Sequence, residues 1–435
     1  MIINQVLNFL QQLTKPIYDR SFVLQNIDRL IGLNIFLVIL SSIVAQSDSI
    51  AYFAIFAILL TAIKLLTKTG EKFELSLAEK ILVLFFIFVL ISVAGSTLLY
   101  LSIKGFVKTL TYLGFYISFV HYLKDNRDKI KYIFLALAFC VSYETVVAVM
   151  QNFASVEEIS GWQDISHLNP EEVMTRVYGT LKPYNPNLFG GYMLASLPAF
   201  LTLPFINKRW TILSLILGFA SVFALFLTGC RGAYIGLFFE IIVLVILTYK
   251  FLEPVYKKIF TCVVGTLAVA FMAIILSTTA LRARIFSIFA MRSDSSNSFR
   301  FNVYNSCIEM FKDNWLLGIG CGNQNFREIY GLYMRTGFDA LSAYNIYLET
   351  AVESGVFALI AFLGFIGVNI TRAIKYILDT KNFETVFVLA ALISLVGMLT
   401  HGLVDTVFFR PQIQFIFWIM VGVIRVLTSD SVKEV

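Results

Sequence analysis

Twelve mostly apolar stretches alternate with polar segments along the 435 residues, near 30–47, 50–67, 81–100, 106–123, 131–152, 188–206, 210–228, 233–251, 259–279, 353–374, 384–403 and 411–428. Each approaches the roughly 20 residues that a helix needs to cross a bilayer. In lipid a single apolar run can satisfy its own backbone hydrogen bonds only as a helix. The pattern therefore predicts an all-α polytopic membrane protein of about 12 transmembrane helices, without a soluble domain. The fourth stretch, FVKTLTYLGFYISFVHYL, carries Lys108, Thr109 and His121 and is expected to face other helices rather than lipid.

Charge sets the orientation. With the N-terminus inside, the inner segments collect most of the 34 lysines and arginines, among them Lys64, Lys68, Lys124, Arg127, Lys208, Lys257, Arg372 and Arg425. Positive charge accumulates on the cytoplasmic side of membrane proteins, so both termini are expected there. The first residues are mixed polar and show no small-residue cleavage site, so no removable signal peptide is expected. The chain then divides into a cytoplasmic N-terminal segment (1–29), five spans (30–152), an outer loop (153–187), spans six to nine (188–279), a large outer loop (280–342), three further spans (343–428) and a cytoplasmic tail (429–435). Loops as long as the two outer ones are uncommon unless they serve a function. Within the larger, SFRFNVYNSCIEMFKDN places Val303, Cys307, Ile308, Met310 and Phe311 near helical spacing, which predicts an outer-face helix lying on the membrane.

Composition agrees with the pattern: 58% of residues are hydrophobic and 14% charged, where a soluble domain carries about 25% charged residues. The net charge of +6 is dispersed among short loops, so nucleic acid is not an expected partner; membrane lipids are. Five cysteines show no metal-ligand spacing, and no phosphate-binding GxxxxGK[ST] is present. No metal or cofactor is expected, and ATP-driven transport by this chain alone is disfavoured. Cys307 and Cys321 share the large outer loop, which leaves a disulfide open.

The candidate chemistry collects at the predicted outer ends of spans. RVYGTLKPYNPNLFGGYML brings Arg176, Lys182, Asn185 and Asn187 to the start of the sixth span, either as a capped helix start or as an anion site. In LTGCRGAYIGL, Arg231 lies between Gly229 and Gly232 at a helix start, where backbone N–H groups also favour an anion. Arg300 opens the outer-loop helix, and GIGCGNQNF follows as a glycine-rich turn; Arg292, Arg327 and Arg335 are expected to be solvated. Asn345, Glu349 and Glu353 recur every four residues on one helix face, where carboxylates are costly unless protonated, paired or used. His401 and Asp405 stand one turn apart, with Arg410 nearby, as an ion-paired corner or as part of a site. Arginines suit a diphosphate and carboxylates suit deprotonation of a hydroxyl, which points to a lipid-diphosphate sugar as donor.

The motifs NPN…GGYML, TGCRGAYIGL, SFRFNVY, LLGIGCGNQNF, YN…ESG and HGLVD resemble the O-antigen ligase and polymerase superfamily over most of residues 170–425. The segment from SDSSNSFRFNVY to AYNIYLETAVESG is still more similar to a branch labelled putative bicarbonate transporter and associated with inorganic carbon accumulation. The superfamily resemblance implies a type C glycosyltransferase-like fold in a bacterial inner membrane, with a periplasmic active face. It implies transfer of a glycan from undecaprenyl diphosphate to a lipid or glycan acceptor, as in lipopolysaccharide and other surface polysaccharide assembly, without metal or nucleotide. Arg231 and Arg300 would then bind the diphosphate, with Arg176 and Lys182 beside them and Asn185, Asn187, Asn345, His401 and Asp405 in support. The ligase signature of a histidine, an Asn/Ser/Gln, nine residues and Gly-x-x-Gly falls on Tyr344, Asn345, Gly355 and Ala358. Tyrosine thus occupies the position of the ligases' base, and Glu349 or Glu353 could accept the proton instead. An anion transporter and a non-catalytic scaffold of a synthesis complex remain the competing expectations.

Overall fold

The structure is a computed structural model that describes residues 2–154, 176–290 and 294–429. Most of the first outer loop, Arg292 and the tail from residue 430 lie outside the described residues. No strand occurs among those described. In chain order the helices are α1 (Ile2–Arg20), α2 (Phe22–Gln25), α3 (Ile27–Ser41), α4 (Ser47–Thr67), α5 (Leu77–Ala94), α6 (Leu99–Asp125), α7 (Ile130–Phe153), α8 (Pro186–Ser196) and α9 (Leu203–Ile206). They continue with α10 (Thr211–Leu227), α11 (Arg231–Phe251), α12 (Pro254–Ser277), α13 (Thr279–Phe286), α14 (Ser295–Asp313), α15 (Asn323–Tyr330), α16 (Ile346–Asp379), α17 (Thr385–His401) and α18 (Pro411–Leu427).

All twelve apolar stretches are helical, and among the described residues eight helical segments are long and apolar enough to cross a membrane. The four that fall short do so for different reasons. α3 has 15 residues, α17 and α18 have 17 each, and α6 is long but interrupted by Lys104, Lys108 and other polar groups. α17 and α18 form the centre of the bundle: nearly every residue of α18 is buried, and α17 packs on α11, α16 and α18. A helix that is apolar all round must meet protein or lipid on every side. α18 meets protein, whereas α12 has Ile275 as its one buried residue and leaves the rest of its apolar surface open.

Side chains start the helices on which the site depends. The Asn185 carboxamide accepts from the N–H groups of Asn187 and Leu188, with Pro186 as first residue of α8, and Asn345 caps α16 in the same way through Tyr347 and Leu348. α16 is broken at Gly355 (φ 79°, ψ 175°). The carbonyls of Val352 and Glu353, which lose their helical partners there, accept instead from Ile319 and Gly320 of the glycine-rich turn, both at 3.0 Å. Val356 N–H donates in turn to Trp315. The GIGCG run therefore serves as an edge that completes a broken helix.

α14, α15 and the first turns of α16 enclose a second core of Val303, Cys307, Met310, Ile319, Phe326, Tyr330 and Val352. The apolar side of α14 is thus covered by protein rather than laid on lipid, and Ile308 alone of the five expected apolar positions is exposed. Cys307 and Cys321 are free thiols buried in separate clusters, so they form no disulfide.

Candidate active site

At one end of the bundle, the starts of α8, α11 and α14 converge on the end of α17. Arg176 is buried, and its Nε donates to the Thr228 carbonyl at 2.8 Å while Nη2 donates to Asn187 Oδ1 at 2.6 Å. Asn187 Nδ2 donates to Asp405 Oδ2 at 3.0 Å, and Arg300 Nη2 lies 3.5 Å from that same oxygen. Asp405 Oδ1 accepts from the N–H groups of Thr406 and Val407 at 2.7 and 3.1 Å. Arg176, Asn187, Asp405 and Arg300 therefore form one chain of contacts.

Arg231 sits beside it. Its Nη1 meets Asp294 Oδ1 at 2.9 Å and the Ser287 hydroxyl at 3.1 Å. Asp294 also caps α14 by accepting from Asn297 N–H at 2.8 Å, so one carboxylate ties the large outer loop to the start of α11. Arg284 donates to the Gly229 carbonyl at 2.8 Å, and Arg231 lies in the positive field of both Arg284 and Arg300. Burial, reinforced by Arg176 nearby, pulls Arg284 below the usual guanidinium range. These residues set four guanidinium groups against the two carboxylates of Asp294 and Asp405. Unbalanced positive charge held out of water is expensive, and an anion brought among these groups would offset it.

The remaining expected residues are placed in different ways. Tyr344 is in contact with the cluster: the Arg300 guanidinium lies 5.7 Å from the centre of its ring, which also packs edge-on against Phe299. Its backbone is left-handed (φ 50°), an uncommon conformation for a bulky residue. Burial and then Asp405 push its phenol above the ordinary value, against the opposing pull of Arg300. His401 lies one turn before Asp405, with Nε2 3.6 Å from Cys230 Sγ, and lines a small cleft with Asp405, Gly191, Gly402 and Phe408. Glu349 and Glu353 serve the backbone: Glu349 Oε2 accepts from Ala343 N–H at 2.8 Å, and Glu353 Oε1 from Gly322 N–H at 3.1 Å. Asn185 and Asn345 are helix caps, and Asn345 Nδ2 also donates to the Leu403 carbonyl at 3.0 Å. The Lys182 carbonyl accepts from Gln412 at 2.7 Å, which ties the segment before α8 to α18.

Arg284, Ser287 and Asp294 were not expected from the sequence. The helix-capping pattern of Asp294 before SSNSFR was the signal available for it; Arg284, beyond the ninth apolar stretch, had none. Replacing Asn187 by Ala is expected to lower the thermal unfolding midpoint of the purified protein by the equivalent of about 1–3 kcal/mol, because Arg176 and Asp405 both lose a buried partner. An unchanged midpoint would show that the link contributes nothing.

An all-helical integral membrane protein with an arginine–carboxylate cluster at one end of its bundle is the class that fold and site define. The family model described as O-antigen ligase matches residues 194–363, from α8 to beyond the break in α16. The match supports the likeness of this stretch to the O-antigen ligase/polymerase superfamily and, with it, a ligase-like role in glycan processing at the membrane. None of the curated proteins matches the chain.

Proposed function

We propose that the protein is a metal-independent glycan transferase of the inner membrane. Its arginine cluster, on the periplasmic face, would hold a polyprenyl-diphosphate-linked saccharide while the sugar passes to a hydroxyl of a lipid or glycan acceptor. The observation that carries the reading is the gathering of Arg176, Arg231, Arg284 and Arg300 around the starts of α8, α11 and α14, with two of them, Arg231 and Arg300, paired to Asp294 and Asp405, inside and beside the family match. Guanidinium forks suit phosphate oxygens, and N–H groups at the start of α11 add to the same field. Stabilising the departing diphosphate and positioning a hydroxyl are the two requirements of a displacement at the anomeric carbon.

We assign acceptance of the acceptor's proton to Asp405 rather than to Glu349 or Glu353. Asp405 already touches Arg300, and a diphosphate that drew Arg300 away would leave its Oδ2 with Asn187 as its one remaining donor and room to accept a further hydrogen bond. Glu349 and Glu353 are engaged with backbone N–H groups, and Tyr344, its phenol held protonated, supports Arg300 from below. In a purified assay with a polyprenyl-diphosphate glycan, Asp405→Asn should retain donor binding and lose transfer by about 100-fold or more. Unaltered transfer would remove Asp405 from the chemistry. In a strain lacking the protein, loss of glycan-capped lipid would identify a ligase and shortened chains a polymerase; an unchanged surface glycan would defeat the proposal.

A further inference from the structure

At the end of the bundle opposite the arginine cluster, α1 presents three faces. At 3.6 residues per turn, Asn4, Leu7, Gln11, Thr14 and Tyr18 share one side. Polar groups on that side grip the last turn of α4 and the segment that follows it. Asn4 exchanges two hydrogen bonds with the Phe73 backbone at 3.0 and 3.2 Å. Gln11 is fully buried and bonds the carbonyls of Leu65 and Glu71 and the N–H of Gly70. Thr14 donates to the Leu66 carbonyl at 3.0 Å. A second side, with Gln5, Asn8, Gln12, Lys15 and Asp19, is polar and exposed. The third carries Ile3, Val6, Phe9, Leu13 and Ile17, which are 52–67% exposed and touch nothing that would keep them from water.

We infer that α1 is an in-plane membrane helix whose third face is seated in lipid at the level where headgroups meet acyl chains. Two observations select lipid as the occupant. α1 packs on the end of α4, a helix long and apolar enough to span the membrane, whose Ile55, Phe56, Leu59 and Ile63 are themselves exposed, so α1 is held to a helix that itself has an open apolar side. Beside it, Lys64 is buried among Asp28 and Asp125, both at 2.7 Å, with Glu71 at 3.3 Å. Such an ion cluster belongs at the membrane boundary and not within hydrocarbon. A helix with one apolar side at that depth lies in the interface plane. Its hydrogen bonds to residues 65–73 then couple lipid contact to the end of α4 and the segment that joins it to α5.

The test uses the full chain in phosphatidylcholine–phosphatidylglycerol liposomes, with the exposed Cys262 replaced by Ser and a nitroxide attached at Phe9→Cys, Leu13→Cys or Gln12→Cys in turn. The ratio of collision with oxygen to collision with a water-soluble nickel chelate should be several-fold higher at positions 9 and 13 than at 12. Equal ratios at the three positions would overturn the inference. So would shielding of positions 9 and 13 from both reagents with spin–spin broadening between chains, which would assign the face to a second copy.

Discussion

Replacing Arg300 or Arg231 by Ala is expected to lower glycan transfer by about 100- to 1,000-fold each, as loss of one preorganised donor to a developing oxyanion does. The two variants should nevertheless differ in stability. Arg300 meets Asp405 at 3.5 Å and is the looser pair, and Asp405 keeps Asn187 and two backbone donors when Arg300 is gone. Arg231 meets Asp294 at 2.9 Å with its own side chain 7% exposed, so its removal strands a partly buried carboxylate that also caps α14. Arg300→Ala should therefore leave the thermal midpoint near that of the parent, while Arg231→Ala lowers it. Lysine should restore part of the activity at either position, since it returns the charge without the bidentate fork. Transfer at the parent rate by Arg300→Ala, in protein extracted from the membrane with the same midpoint, would defeat the diphosphate assignment.

The helical content of the chain was legible because apolar runs of span length have one solution in lipid, and every such run is helical here. The limits of the helices were less so: α16 begins at Ile346, seven residues before the apolar stretch, because Asn345 caps the helix there. Of the site, Arg176, Arg231 and Arg300 were legible as charges near the outer ends of spans, whereas Arg284 was not. Asp405 stood out as a candidate too, but its pairing with Arg300 and that of Asp294 with Arg231 did not, since both reach across separate elements and no spacing along the chain records that. Glu349 and Glu353 drew notice as carboxylates entering an apolar helix. The structure shows both accepting from backbone N–H groups of the outer loop, a use that a period-four pattern cannot distinguish from chemistry. α1 passed as a mixed polar segment for a related reason: with three faces rather than two, its apolar fraction is modest.

The largest structural effect is expected at Gly355, the glycine of the ligase-like signature. Its φ of 79° and ψ of 175° lie in a region open essentially to glycine alone, and a Cβ added there would overlap the carbonyl oxygen of Leu316. Gly318 faces the same joint from the other side, where a Cβ would overlap the carbonyl of Glu353. Alanine at Gly355 must either strain the backbone or push the glycine-rich turn off α16, and the turn's bonds from Ile319 and Gly320 would go with it. The expected cost is about 3 kcal/mol or more, seen as a marked fall in the thermal midpoint of the purified protein and as loss of transfer. Gly367, in the same helix with nothing within 4 Å of an added Cβ, provides the control. Alanine there should be neutral or stabilise by up to about 1 kcal/mol, because an ordinary helical glycine is a poor helix former. Equal midpoints for Gly355→Ala and Gly367→Ala would mean that the break in α16 is not a fixed feature of the fold. The signature glycine would then need an explanation other than the joint it makes with the outer loop.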